Sequence, residues 1–378
     1  MKALPEFRLE THFAMWEFKA RYHMTASDAE SLSIRDLLAM ATTDEREEFE
    51  NLWLGYTETF GAPDLREVIA EMYADRNSDE VLCFAGASEG IFAANRVILD
   101  RHSHAIAITP NYQSHESLPL AICDTTGVPL DPDDNWSLDI DRIAQAIKPN
   151  TRLLTINFPH NPTGANLPLE RLEALVALCR KHGIYILSDE IFNGLGRSGT
   201  VHMPYITEIY ERGLSLNVMS KAYGMPGLRI GWIASADKEL LLKMERAKHY
   251  LSICNSAPSE RLAKIALRNR AQILARNCKI IDDNLEKLNA FFDRYAGLFD
   301  WRVSDASCMA FPRYLGADGV EHFTQRLLEE AGVLLLPGSI YSSELAPTPT
   351  DRFRIGFGRS AIDDGITAID AHLQRIQD

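Results

Sequence analysis

The sequence predicts an α/β protein: a large domain on a mostly parallel sheet, with a smaller α+β domain beside it. Three observations point there. Short apolar runs alternate with amphipathic stretches through the middle of the chain. Polar and glycine-rich punctuation falls at the ends of those runs, where open parallel sheets bind ligands. The last third changes character, to a helical pattern followed by aromatic-rich runs.

The strand candidates, in order, are "EVLCFAG" (80–86), "HAIAITP" (104–110), "TRLLTINFP" (151–159), "GIYILSDE" (183–190), "GLSLNVMS" (213–220) and "LRIGWIAS" (228–235). They are too continuously apolar for one-sided strands, so the sheet is expected to be covered on both faces. Between them, "LPLERLEALVALCRKHG" (167–183) spaces leucine and alanine as a helix does. Residues 258–299, rich in Arg, Lys, Leu and Ala, predict one long connecting helix. "WRVSDASCMAFPRY" (301–314) and "DRFRIGFGR" (351–359) predict strands of the second domain, and "APTPT" (346–350) a surface loop.

Composition narrows the function. With 378 residues, 46% of them hydrophobic, the chain can bury one large core and a satellite. Its 53 acidic against 39 basic side chains give a net charge of -14, which disfavours a nucleic-acid backbone as partner. The cysteines Cys83, Cys123, Cys179, Cys254, Cys278 and Cys308 are scattered without a CxxC pair, as reduced thiols of a cytoplasmic protein are. "MKALPEFRLETHF" lacks the apolar run of a signal peptide, and no stretch approaches the roughly 20 apolar residues of a membrane span. The expectation is a soluble, cytoplasmic protein with no membrane and no nucleic-acid partner.

The chemistry lies in the punctuation. In "LNVMSKAYGMPGLRIGWIAS" (216–235), Lys221 ends an apolar strand. Burial there makes its charged form costly, lowers its pKa and frees an amine for nucleophilic or base work. A snorkelling surface lysine is the plainer alternative. Arg229, after a glycine-proline elbow, is suited to a phosphate. "ILSDEIF" (186–192) ends a buried strand with two acids, and a carboxylate there must be paired or used. It suits a proton on a heterocycle nitrogen or a metal. No clustered His or Asp ligands accompany it, so an organic cofactor is expected and no metal.

"PHNPTGA" (159–165) makes a turn and also brings the Asn161 amide to the ligand-binding edge. "FAGASEG" (84–90) reads as strand, glycine turn and helix start. Gly86, Ala87 and Ser88 there offer free N–H groups to a phosphate, or form an ordinary capped helix. "PNYQSH" (110–115) offers Tyr112 to stack on a flat ring and His115 to orient another group.

Together these motifs, in this order, resemble the class I and II aminotransferases, pyridoxal 5′-phosphate (PLP) enzymes of fold type I. The resemblance covers nearly the whole chain. It implies a large PLP-binding domain over 45–280 with a seven-stranded sheet. It implies a small domain from 1–44 and 281–378, in which the N-terminal arm joins C-terminal α+β structure. By the resemblance Lys221 carries the cofactor as an imine, Asp189 pairs with the ring nitrogen and Asn161 donates to the phenolic oxygen. Tyr112 stacks on the ring and His115 supports Asp189. Ala87, Ser88, Ser220 and Arg229 form the phosphate cup. Tyr56 matches the tyrosine that reaches a neighbouring subunit's phosphate, which implies a homodimer with shared sites. Arg354 matches the arginine that clamps the substrate α-carboxylate. The implied activity is transamination of an α-amino acid, through an external aldimine and a quinonoid.

Two departures matter. Phe192 stands where the family carries a tyrosine beside the cofactor, so the phenolic oxygen keeps only Asn161 as donor and apolar space is expected near it. The arm, "FRLETHFAMWEFKARYHMTASDAESLSIRDLL" (7–38), is similar to that of a capreomycidine synthase-like subgroup whose chemistry is elimination and cyclisation. Ser27, Asp28 and Glu30 of this arm are candidate substrate contacts, with Glu30 suited to a cationic side chain; the arm also reads as plain packing. The alternative function is therefore a PLP lyase or cyclase of specialised metabolism. A regulatory PLP-binding protein is a third reading, disfavoured by the intact set of Lys221, Asp189, Asn161, Arg229 and Arg354.

Overall fold

The computed structural model describes residues 2–197, 203–304 and 306–377. Seven strands form the large sheet: β1 (Val81–Phe84), β2 (His104–Thr109), β3 (Asp124–Pro129), β4 (Thr151–Asn157), β5 (Tyr185–Asp189), β6 (Gly213–Val218) and β7 (Gly231–Ala234). Their spatial order is β1-β7-β6-β5-β4-β2-β3. All neighbours are parallel except β7, which runs antiparallel to β1 and β6.

Alternate residues of each central strand serve opposite cores. Leu153 and Leu187 pack on one face with Phe84 and Leu216. Leu154 and Ile186 pack on the other with Ile106 and Ile156. Both faces being covered is the reason those strands read as unbroken apolar runs. The six strands expected from such runs are present. The seventh, β3, has the sequence DTTGVP; it is an edge strand, with Asp124 exposed, and carries no apolar run.

The helix expected over 258–299 is two helices, α5 (Ala257–Arg268) and α6 (Arg270–Arg294). The break is Asn269, whose side-chain amide turns back onto the Ile265 carbonyl at 2.9 Å. Asparagine offers the backbone such an alternative to helical bonding. Labels α1 (Arg8–Trp16), α2 (Ala87–Ile98), α3 (Ser114–Ile122) and α4 (Leu169–His182) are used for earlier helices.

Beyond α6 the strands are short. Phe353–Gly356 pairs antiparallel with Met309–Ala310 and with Leu336–Pro337. Phe299–Asp300 pairs with Arg313–Tyr314. The strand expected over 301–314 is thus reduced to two pieces, and its residue 305 lies outside the described residues. An aromatic core including Phe291, Phe299, Phe323 and Phe353 holds them together.

The N-terminal chain joins this unit. Tyr22–His23 pairs parallel with Val333–Leu334. Residues 24–30 then cross to the large sheet, bonded at both ends. Gly356 N–H donates to Met24 O at 2.9 Å, Ala29 N–H to Lys221 O at 3.1 Å, and Glu30 N–H to Gly358 O at 2.8 Å. Among the described residues, no helix is long and apolar enough to cross a membrane.

Candidate active site

At the carboxyl ends of the parallel strands lies a cavity of about 560 Å³. Strand ends supply its floor, because backbone bonding stops there and side chains and loops turn upward. Asp189 ends β5, Ser220 and Lys221 follow β6, and Asn161 stands four residues past β4. Tyr112 walls it from the turn before α3, and Ala87 and Ser88 from the start of α2.

Lys221 keeps partial solvent contact through the cavity and is enclosed elsewhere. Its Nζ donates to Ser27 Oγ at 2.9 Å. Desolvation holds its pKa below the usual lysine value; Asp28 opposes this and Arg354 adds to it. That is the environment of a reactive amine.

Asp189 is buried, and His115 Nε2 stands 2.9 Å from its Oδ2. Asn157, on the neighbouring strand opposite Asp189, ties the floor together. Its amide donates to Asp189 O at 2.8 Å and its Oδ1 accepts from Asn161 N–H at 2.9 Å. Asn157 lines the cavity and was not singled out from the sequence. The register of β4 against β5 was the missing information, because a strand-end asparagine alone reads as a turn residue.

Arg354 is fully buried. It donates to Asn161 Oδ1 at 3.1 Å, Thr25 O at 2.7 Å and Thr25 Oγ1 at 3.3 Å. No carboxylate among the described residues pairs with it within ion-pair distance. A buried guanidinium without a counter-ion carries a large desolvation cost, which an anionic ligand offsets. Arginine only donates, so Asn161 Oδ1 faces it and the Asn161 amide is left to donate elsewhere.

The start of α2 meets the demands of a phosphate. Gly86 has φ +94, and a Cβ there would stand 2.6 Å from Arg229 Nη2. The guanidinium and the helix start approach because no side chain intervenes. No side chain caps α2 at its N-cap, so its first N–H groups remain for a ligand. Arg229 itself holds the left-handed conformation, φ 52, a strain of the kind found at functional sites. A buried carboxylate backed by histidine, a lone enclosed lysine and this phosphate cradle together fit PLP.

Other expected residues lie elsewhere. Phe192 does not line the cavity; it is fully buried in the core with Leu195 and Phe353. A ring without a hydroxyl has nothing to bond at the cofactor, and the apolar residues that line the cavity near the ends of β5 and β6 are Ile191 and Val218. Glu30 is outside the cavity: its carboxylate accepts from Ser360 N–H at 2.7 Å and Ser360 Oγ–H at 2.9 Å. Asp28 is paired with Arg359 at 2.9 Å. Tyr56 is 86% exposed, beside exposed Trp53 and Leu54, and touches no part of its own chain's cavity. Glu10 of α1, unremarked in the sequence, does line the cavity and accepts from Tyr112 Oη at 3.0 Å.

Comparisons with known proteins bear on the fold and the family. The family described as "Aminotransferase class I and II" matches residues 34–366. Capreomycidine synthase of Streptomyces vinaceus is 28% identical over 380 residues, 98% of this chain and 95% of that protein. A probable N-succinyldiaminopimelate aminotransferase of Mycobacterium tuberculosis is 31% identical over 279 residues, 71% of this chain and 68% of that one. A crystal structure of a PLP-dependent aminotransferase from Streptococcus suis superposes with a TM-score of 0.91 at 27% identity, covering 98% of each chain.

Proposed function

Because the chain belongs to the class I and II aminotransferases, PLP-dependent enzymes, we propose that it transaminates an α-amino acid at the cavity around Lys221. The observation that carries this reading is Arg354, a buried cation without a carboxylate partner, bonded to Asn161 on the cavity wall. It suits the one feature all α-amino acids share besides the amine, their carboxylate.

When bound, PLP supplies an aldehyde that captures amines and a ring that draws electrons from the substrate Cα. The chain supplies the rest. Lys221 would hold the aldehyde, and its free Nζ would take a proton from the substrate Cα. Asp189, oriented by His115, would hold a proton at the ring nitrogen. Asn161 would donate to the phenolic oxygen, and the Tyr112 ring would cover one face. Ala87, Ser88, Ser220 and Arg229 would hold the phosphate, with the N-terminus of α2 behind them. Ser27 accepts from Lys221 Nζ and keeps the freed amine near Cα.

The second reading is lyase or cyclase chemistry. It is favoured by Phe192, which brings no hydroxyl to the cavity, and by the capreomycidine synthase match, which includes the arm. Both begin with the same Cα proton transfer. Mixing the holoenzyme with amino acids and no keto acid separates them. One cofactor converted to its amine form per site means transamination. Repeated ammonia release or a cyclised product overturns it in favour of the second reading.

The enzyme acts as a homodimer in this reading. Tyr56, exposed with Trp53 and Leu54, serves a phosphate only across a subunit boundary. The proposed location is the cytoplasm, in keeping with the scattered free cysteines.

A further inference from the structure

Three side chains meet behind the wall that carries Asn161. Arg354 Nη1 donates to Asn161 Oδ1 at 3.1 Å, and Tyr341 Oη donates to the same oxygen at 3.3 Å. Arg354 also lies against the Tyr341 ring, its Cζ 5.8 Å from the centroid. The proposed chemistry gives roles to Asn161 and Arg354 and none to Tyr341.

The orientation of the Asn161 amide matters more here than in a site with two donors. Phe192 brings no hydroxyl to the cavity, so Asn161 is left to donate to the phenolic oxygen. An amide turned the other way would set its own oxygen against that oxygen, acceptor against acceptor. Arg354 and Tyr341 oppose such a turn. Together they fill both lone pairs of Oδ1. The amide Nδ2 bonds to no described residue and remains for the cavity that Asn161 lines.

Of the two donors, Arg354 has a second claim on it in the proposed chemistry, the substrate carboxylate. The Tyr341 hydroxyl has no other acceptor among the described residues. Its place is fixed from several sides. Tyr341 ends a short 3-10 turn, Gly338–Tyr341. Arg8 Nε donates to Ile340 O at 3.3 Å, and the same guanidinium bonds Ser342 O. Buried Glu116 of α3 accepts from Ser343 Oγ–H at 2.7 Å and Glu344 N–H at 3.2 Å. The Tyr341 ring packs edge-on against Phe311, with centroids 5.6 Å apart. Burial pushes the hydroxyl up to about 12, so it stays a donor through neutral and mildly alkaline pH.

We propose that Tyr341 is a positioning residue: by bonding Oδ1 it holds the Asn161 amide with its N–H groups toward the phenolic oxygen of PLP. This rests on the reading that Asn161 donates to that oxygen.

The test is a spectral pH titration of the holoenzyme, which reads the pKa of the imine between Lys221 and PLP without turnover. A donor at the phenolic oxygen draws off the charge that holds the imine proton, so a weaker donor raises that pKa. Tyr341→Phe keeps the ring beside Phe311 and Arg354 and removes the hydroxyl alone. Its imine pKa is expected above the wild-type value by about half a unit, a threefold change in proton affinity and a fraction of the worth of one neutral hydrogen bond. The groups whose charges act on Lys221 (Asp28, Arg354, Cys308 and Glu10) are the same in both proteins. Asn161→Ala should raise the pKa further. Tyr341→Phe added to Asn161→Ala should then change nothing, because the hydroxyl has no amide left to hold. A loss of packing alone would persist in that background. No rise in Tyr341→Phe, or an equal rise with Asn161→Ala present, overturns the positioning role and leaves Asn161 as the donor. An imine pKa unmoved by Asn161→Ala overturns the reading of Asn161 itself.

Discussion

A lysine amine becomes useful when its charged form is made costly, and Lys221 is set at the one strand end where that happens. Ser27 complicates the picture: by accepting from Nζ it favours the ammonium. Removing that acceptor in Ser27→Ala should move the Lys221 amine further down in cofactor-free protein. The pH dependence of its labelling by an amine-specific reagent reads this directly, and an unmoved or raised midpoint rejects the assignment. Glu190, next to Asp189, shows burial acting on an acid. Its carboxyl is pushed up to about 8, chiefly by desolvation, and its Oε1 accepts from Ile206 N–H at 2.8 Å. Because the folded value is raised, the stability the protonated acid contributes is complete below about pH 4.5. It is lost as pH rises toward 8. Glu190→Gln keeps an acceptor for Ile206 and cannot ionise. Urea unfolding should show the wild type losing a few kcal/mol relative to the variant between mildly acid and mildly alkaline pH. Parallel stability curves for the two proteins count against a shifted Glu190. Both acids of "SDEIF" were legible as buried and demanding an explanation. Glu10 was not, because a glutamate on a short amphipathic helix is indistinguishable in sequence from a solvated face.

At the scale of elements, the site depends on how the segment 24–30 is sewn between two units. Each of its ends bonds to the backbone of Phe353–Gly358, and Ala29 bonds to Lys221 itself. The fit allows no side chain beneath it: a Cβ on Gly356 would overlap the Ala26 carbonyl, and one on Gly358 the Asp28 carbonyl. Gly356→Ala is therefore expected to cost about 2–3 kcal/mol. It should also lift Ser27 from Lys221, seen as new protease sensitivity near residues 20–30. A variant as stable and as resistant as the wild type would mean the segment is not held there. "DRFRIGFGR" read in sequence only as a strand; the reason for its glycines lies in a segment more than three hundred residues away. The other misses have local causes. Strand β3 lacks an apolar run because an edge strand is solvated, and the break at Asn269 is a local side-chain bond inside an otherwise helical pattern. The buried strands of the sheet were legible because parallel strands covered on both faces have no freedom to be polar.

For the whole molecule the open question is what covers Trp53, Leu54 and Tyr56, at 81%, 78% and 86% exposure. Large aromatic and aliphatic side chains standing together in solvent mark an interface. Their loop is rigidly backed: buried Lys248 donates to Thr59 O and Cys83 O, both at 2.7 Å, and to Asn255 Oδ1 at 3.2 Å. In the proposed homodimer, Tyr56, exposed and outside its own chain's cavity, would find its use in another copy of the chain. If Tyr56 serves its neighbour's phosphate, each site draws on two chains, and two inactive variants can repair one another. Lys221→Ala removes the amine, and Tyr56→Ala weakens cofactor holding. In a mixed dimer the site built around the intact Lys221 receives the intact Tyr56 of the other chain. Co-expressed variants should therefore regain about a quarter of wild-type sites, since half of the dimers are mixed and each repairs one of two sites. Cofactor retention after gel filtration, beside activity, measures the recovery. Tyr56 acting within its own chain gives no repaired site in any combination, so recovery no greater than the sum of the separate variants excludes the shared arrangement.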